Sequence, residues 1–199
     1  MSHREAPATR RSRIVKQPGR AISETSAIVE ILALGLVAHV GFTVDAQPYV
    51  IPMSYHFDPN ESSRLYLHGA RDSRLITHLA TGAPVCVTVT LLDGLVFSRS
   101  AMHHSVNYRS VVMFGRAAPA GDRDTWRAVM EATIARYHPG RVAGRDYEPI
   151  PDRHLDATGF VAIAIEEWSA KARTGGPNGP RDADAEASGT AGVVPLSVR

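Results

Sequence analysis

Four short segments carry side chains able to do chemistry. The first is His68-Gly69-Ala70-Arg71-Asp72-Ser73-Arg74. A glycine lets backbone approach a ligand closely, and a helix opening at Asp72 or Ser73 offers unpaired N–H groups. The Ser73 hydroxyl and the Arg71 or Arg74 guanidinium can bond phosphate oxygens. The same residues also suit an ordinary capped helix with solvated arginines. The second is Tyr49-Val50-Ile51-Pro52-Met53-Ser54-Tyr55. Pro52 interrupts a strand pattern, and the freed backbone groups could meet the polar edge of a flat heterocycle; a plain edge strand is the alternative. The third runs from Ser100 to Ser110 and is dense in hydrogen-bonding groups, including His103, His104, Asn107, Tyr108 and Arg109. The fourth, Trp168-Ser169-Ala170-Lys171-Ala172-Arg173, sets an indole beside two cations. It could wrap a phosphorylated aromatic ligand, end a basic helix or form a dimer contact.

Several chemistries are disfavoured. His103 and His104 are adjacent, so on extended chain they point to opposite sides, and no acidic or Cys partner stands at ligand spacing. No metal site is expected. Gly-x-Ser-x-Gly, the glycine-rich dinucleotide fingerprint and the P-loop are all missing. Cys86, the single cysteine, excludes an intrachain disulfide and sits in the apolar run Val85–Val89 as a small core residue. A formal charge of +2 does not suggest a nucleic-acid surface. No apolar run reaches the ~18 residues a membrane span needs. With no targeting signal in view, the cytoplasm is the expected location.

The elements that would position these segments follow from periodicity. The spacing predicts a helix from Ser23 to about Leu34, ended by Gly35, then a strand over 36–43. Asp45–Pro48 reads as a turn, Tyr49–Phe57 as a strand, and Arg64–Gly69 as a third. A helix carrying Leu75, Ile76 and Leu79 follows. Val85–Leu91 and Leu95–Ser100 read as two strands joined by an Asp93–Gly94 hairpin turn. Tyr108–Ala117 is a further strand. Trp126, Val129, Met130, Thr133, Ile134 and Tyr137 form one helical stripe over 122–137. A last strand covers about Thr158–Glu166. The fold class expected is mainly β (α+β), an antiparallel barrel of about six to seven strands with peripheral helices. Within the 199 residues, 1–19 read as a disordered basic leader, 20–174 as the domain and 175–199 as a flexible tail.

In this order, the segments resemble the pyridoxamine 5′-phosphate oxidase-like superfamily of flavin-binding split barrels. The closest branch is the nitroimidazole-resistance and flavin-nucleotide-binding group. The residues carrying the likeness are Pro48–Tyr55, Leu65–Gly69 with Ser73-Arg74, Ala83–Val89, Asp93–Val96, His103–Gly115 and Trp168–Arg173. The resemblance implies flavin mononucleotide (FMN) at the interface of a homodimer and oxidoreductase chemistry on a small molecule, a nitro-aromatic being one candidate. Pro52, Met53, Ser54 and Tyr55 would meet the ring edge. His68, Gly69, Ser73 and Arg74 would take the phosphate end, and His68 is the candidate proton donor. Asn107, Tyr108, Arg109, Trp168, Lys171 and Arg173 would complete the site, in part from the second subunit. The pyridoxal-forming members carry an Arg-x-x-Leu-Leu-Lys strand where Tyr49–Tyr55 has no cation, which argues against pyridoxamine phosphate as substrate. A non-catalytic flavin carrier or sensor, or a haem or deazaflavin binder, is the rival; His39, His56, His68, His103 and His104 are the possible haem ligands.

Overall fold

The computed structural model describes residues 9–196. In chain order the elements are β1 (Ala21–Ile22), α1 (Thr25–Leu34), β2 (Ala38–Val44), β3 (Gln47–Met53), β4 (Arg64–Ala70), α2 (Arg74–Leu79) and β5 (Pro84–Phe97). Then come β6 (Ser105–Pro119), α3 (Arg123–Tyr137), α4 (Asp152–Ala157), β7 (Thr158–Arg173) and β8 (Gly192–Pro195). Every strand pairing is antiparallel. The sheet runs β1-β7-β6-β5-β2-β3, with β4 paired to β7 and β8 to β5. It is an α+β split barrel that does not close: β3 and β4 share no ladder, and one bridge, His56 to Tyr66, spans the gap between them.

Alternation explains the core. Leu65 and Leu67 of β4, Val85, Val87 and Val89 of β5, Val111 and Met113 of β6, and Val161 and Ile163 of β7 face inward. Ile28, Ile31 and Leu32 of α1 and Leu75, Ile76 and Leu79 of α2 cap that core. A smaller cluster of Ala120, Leu155 and Phe160 packs with Trp126 and Tyr66 on the outer face of β4 and β7.

Some elements depart from the sequence pattern. α1 is preceded by Glu24, which makes no side-chain cap, rather than by Ser23. β3 stops at Met53 instead of reaching Phe57, and Pro52 lies on this edge strand, the kind of position where a missing N–H is tolerated. Asp93–Gly94 is not a hairpin turn. The ladder with β6 continues on both sides of a bulge there, and Asp93 is held across it by Arg109 at 2.9 and 3.1 Å. The chain reverses only at 98–104. β7 extends through Trp168–Arg173, and α4 and β8 carry patterns too short to read.

The segments outside the expected domain are tied to the sheet where they are described. Thr9, Arg11 and Ser12 donate to Glu167 of β7. Burial opposes charge on Glu167, but the Thr9, Ser12 and Arg11 bonds outweigh it and hold the carboxyl down at about 2. In the tail, Asp182 accepts from the Ser98 hydroxyl at 2.9 Å and from the Arg99 amide at 2.7 Å, and β8 lies along Gly94–Phe97. Residues 1–8 of the expected leader and 197–199 of the expected tail lie outside the described residues.

Candidate functional site

The break in β3 and the end of β4 come together. Pairing with β2 ends at Met53, leaving Ser54 exposed beyond the ladder. Met53 reaches back to Gly69: a Cβ built there would sit 3.8 Å from Met53 Cε and 3.3 Å from Ile76 Cγ1. Gly69 pairs with Gly159 across β4 and β7. This pair of glycines lets Ile76 of α2 press onto the sheet, which fixes where the β4–α2 turn stands.

Ser73 caps α2 by accepting from the Ile76 amide at 3.4 Å. In that role its own hydroxyl proton remains free to donate. Arg71 and Arg74 flank it. Arg71 lies over Trp126 with its guanidinium carbon 5.8 Å from the ring centroid, and Arg74 lies over Tyr49 at 4.7 Å. Neither forms an ion pair among the described residues. α2 has six residues, so its terminus adds little, and the turn's capacity for an anion rests on these three side chains.

His68 stands on the outer face of β4, half-buried, 6.1 Å from Phe160 between ring centroids. Burial pushes its pKa below the ordinary value, so the imidazole is neutral at pH 7. A neutral ring donates a hydrogen bond or ligates a metal, and it is poorly suited to be a charged acid. His56 is also pushed down, first by burial and then by Arg136, and its Nδ1 is buried without a partner. Beyond Tyr66 the same face opens into a cavity of 360 Å³, where Arg64 and Arg116 stand over Ala118, Ala162 and Ala164.

The structure does not bring all the expected site residues together. Met53, Gly69, Ser73 and Arg74 gather around the break and the turn, with Pro52 and Ser54 adjoining Met53 in the chain, whereas His68 points to the outer face of β4, toward Phe160. Tyr55 adjoins them in sequence, but its ring is fully buried and its hydroxyl donates to the Leu32 carbonyl at 2.6 Å. Only its backbone stands near the break. Burial pushes this phenol up to about 12. Asn107, Tyr108, Arg109, Trp168, Lys171 and Arg173 lie on β6 and β7, far along the sheet. Trp168 is eight residues beyond Phe160, roughly 26 Å of strand at about 3.3 Å per residue. Asn107 and Arg173 are buried and bonded to each other, with Asn107 Nδ2 donating to the Gly175 carbonyl at 3.1 Å. Arg109 is held by Asp93 and Glu30, and Lys171 donates to the Lys16 carbonyl at 2.8 Å. Their intrachain partners explain why these polar groups can sit in and beside a strand.

Sequence reasoning did not single out the far end of α3. The Tyr55 amide donates to the Tyr137 hydroxyl at 3.0 Å, and Arg136 donates to the carbonyls of Tyr55 at 3.0 Å and Leu32 at 2.9 Å. Tyr137 lay on the helical stripe, but Arg136 carried no signal.

An antiparallel sheet that wraps round its core without closing places the chain in the split-barrel class of folds. The family model for pyridoxamine 5′-phosphate oxidase matches residues 24–172, and the chain belongs to that family. Among solved structures it is similar to the flavocytochrome Anf3 from Azotobacter vinelandii, at 30% identity and TM-score 0.83, covering 98% of this chain and 87% of that one. It is similar to the FAD and haem binding protein from Mycobacterium smegmatis at 33% identity and TM-score 0.78, covering 89% and 84%. A candidate 5-nitroimidazole antibiotic resistance protein from Bacteroides thetaiotaomicron shares the fold at 20% identity and TM-score 0.63, covering 76% and 86%. No curated protein sequence matches the chain.

Proposed function

We propose that this chain is a flavin-binding redox protein that holds its cofactor, FMN in the simplest form, at the β4–α2 turn. The observation that carries the reading is the turn itself: Ser73 between two guanidiniums with no acidic partner among the described residues, beside the glycine at 69 and the break after Met53. Arg71, Ser73 and Arg74 would bind the phosphate, while Pro52 and Met53 at the end of the edge strand and Ser54 just beyond the ladder would meet the ring edge. A bound flavin supplies one- or two-electron transfer, and the protein supplies position and polarity. Neutral His68 would donate a hydrogen bond toward the ligand. The protein would act on a small molecule as a homodimer in the cytoplasm, without nucleic acid or membrane as partner. The distant residues on β6 and β7 would then serve the partner's site. No helix among the described residues is long and apolar enough to cross a membrane.

Titration with FMN and with FAD, followed by absorption, tests the reading. Binding with bands near roughly 375 and 450 nm supports it. A protein that stays colourless and rejects both flavins refutes it. Anaerobic reduction with each nicotinamide cofactor, then addition of a nitro-aromatic acceptor, tests the oxidoreductase activity.

A second reading adds haem to the flavin. Two relatives at 30% and 33% identity are a flavocytochrome and an FAD and haem binding protein. This chain has residues that fit: His68 is neutral, and His56 has a buried ring nitrogen without a partner. Either imidazole could hold the iron from the outer face of β4. A Soret band after haem addition, lost in His68→Ala or His56→Ala, would identify the ligand.

A further inference from the structure

We infer that Arg136 and Tyr137, in the last turn of α3, are positioning residues of the flavin site. The inference rests on the proposed flavin site. Between Met53, which still pairs with β2, and His56, which pairs with Tyr66 across the split, the chain has no strand neighbour. A backbone leaving one ladder for another must satisfy its amides and carbonyls elsewhere. At Tyr55 it does so entirely on α3. The Tyr137 hydroxyl accepts from the Tyr55 amide at 3.0 Å. Its single proton lies between the carbonyls of Leu36, at 2.8 Å, and Tyr55, at 3.1 Å.

Arg136 completes the clasp. Its guanidinium donates to the carbonyls of Tyr55, Leu32 and Gly35, and lies 4.3 Å from the Tyr55 ring centroid. One arginine thus joins the end of α1 to the break in β3. Among the described residues it has no carboxylate partner, and its Nε is buried without a bond. A fork of parallel donors fixes orientation as well as distance, which a lysine cannot do. The two residues therefore set the direction in which the chain leaves Met53 and Ser54 presents its backbone beyond the ladder. They do so through the backbone of Tyr55, without being assigned a contact with the ligand themselves.

The test compares wild type, Tyr137→Phe and a control, Thr133→Val, which removes a buried hydroxyl bonded to the Val129 carbonyl on the same helix. Each is titrated with FMN and FAD, the bound flavin's absorption is recorded, and thermal unfolding is measured without ligand. Tyr137→Phe is expected to bind flavin about tenfold more weakly with a shifted flavin spectrum, whereas Thr133→Val loses stability but keeps wild-type affinity and spectrum. If Tyr137→Phe matches wild type in both, or if Thr133→Val changes the spectrum equally, the positioning role is refuted while the flavin site stands. A wild-type protein that binds neither flavin overturns the proposed site and this inference with it. If Tyr137→Phe does not fold, Arg136→Lys replaces it: the charge stays, the fork is lost, and the same tenfold weakening and spectral shift are expected.

Discussion

Substituting Gly159 by Ala should loosen the phosphate turn while leaving every ligand-facing side chain in the sequence unchanged. A Cβ at this position would stand 2.3 Å from Ile76 Cγ2 and 3.1 Å from Arg71 Cα. Carbon atoms rest comfortably at about 3.5–4.0 Å. The methyl of Ile76 can turn away only into the packed core, and Arg71 Cα is backbone, so α2 and its leading turn must lift. Overpacking of this kind costs about 1–3 kcal/mol. For a domain of this size that is a drop in melting temperature of about 2–12 °C. Because the lift carries Arg71 and Ser73 with it, flavin affinity should fall about tenfold or more. Calorimetry of the ligand-free protein and flavin titration by fluorescence measure the two effects separately. Adding Ile76→Ala removes one of the two clashes, so the double variant should regain part of the affinity, a coupling that additivity does not predict. A Gly159→Ala protein with wild-type melting and wild-type flavin affinity would show that the paired glycines do not set the turn.

Three further outcomes are expected. Ser73→Ala removes both the cap and a donor to phosphate; stability should fall by about 1 kcal/mol, toward the low end for a 3.4 Å cap, and flavin binding by about tenfold, as read by denaturant melts and titration. Glu167, whose carboxyl is held down at about 2 in the fold, contributes stability that is complete above about pH 4.5 and is lost as pH falls toward 2; protease cleavage among Arg10–Arg13 should rise across that window, and Glu167→Gln should be cleaved readily at neutral pH. His68 has a lowered pKa, so the unfolded chain binds the extra proton first; its share of stability is present above about pH 6.5 and is lost as pH falls below it, and His68→Gln should flatten the pH–stability curve there.

The antiparallel barrel was legible because alternation at β2, β5 and β7 and the stripe on α3 are strong periodic signals. The Gly69–Arg74 turn was legible for the same local reason, a glycine and a capping serine at a strand-to-helix change. Asp93–Gly94 misled because turn chemistry and bulge chemistry use the same residues, and only the distant Arg109 decides between them. Tyr55 was read as a cofactor contact from its neighbours, yet its ring belongs to the core under α1. Arg136 left no trace in the sequence, since its partners are carbonyls 81 to 104 residues away. Contacts made to backbone leave no pattern of side-chain types to read.

The ladder along β5 carries one more consequence. Its first half is covered by β2, which pairs with Cys86–Val89, and its second half by β8, which pairs with Gly94–Phe97. During synthesis that second half stays uncovered until the ribosome has passed residue 192. For nearly a hundred residues of elongation, Leu95 and Phe97 border an open strand edge, the kind that recruits foreign strands. A chain truncated before β8 would have its core built, with β6 on one edge of Gly94–Phe97 and the other edge left open.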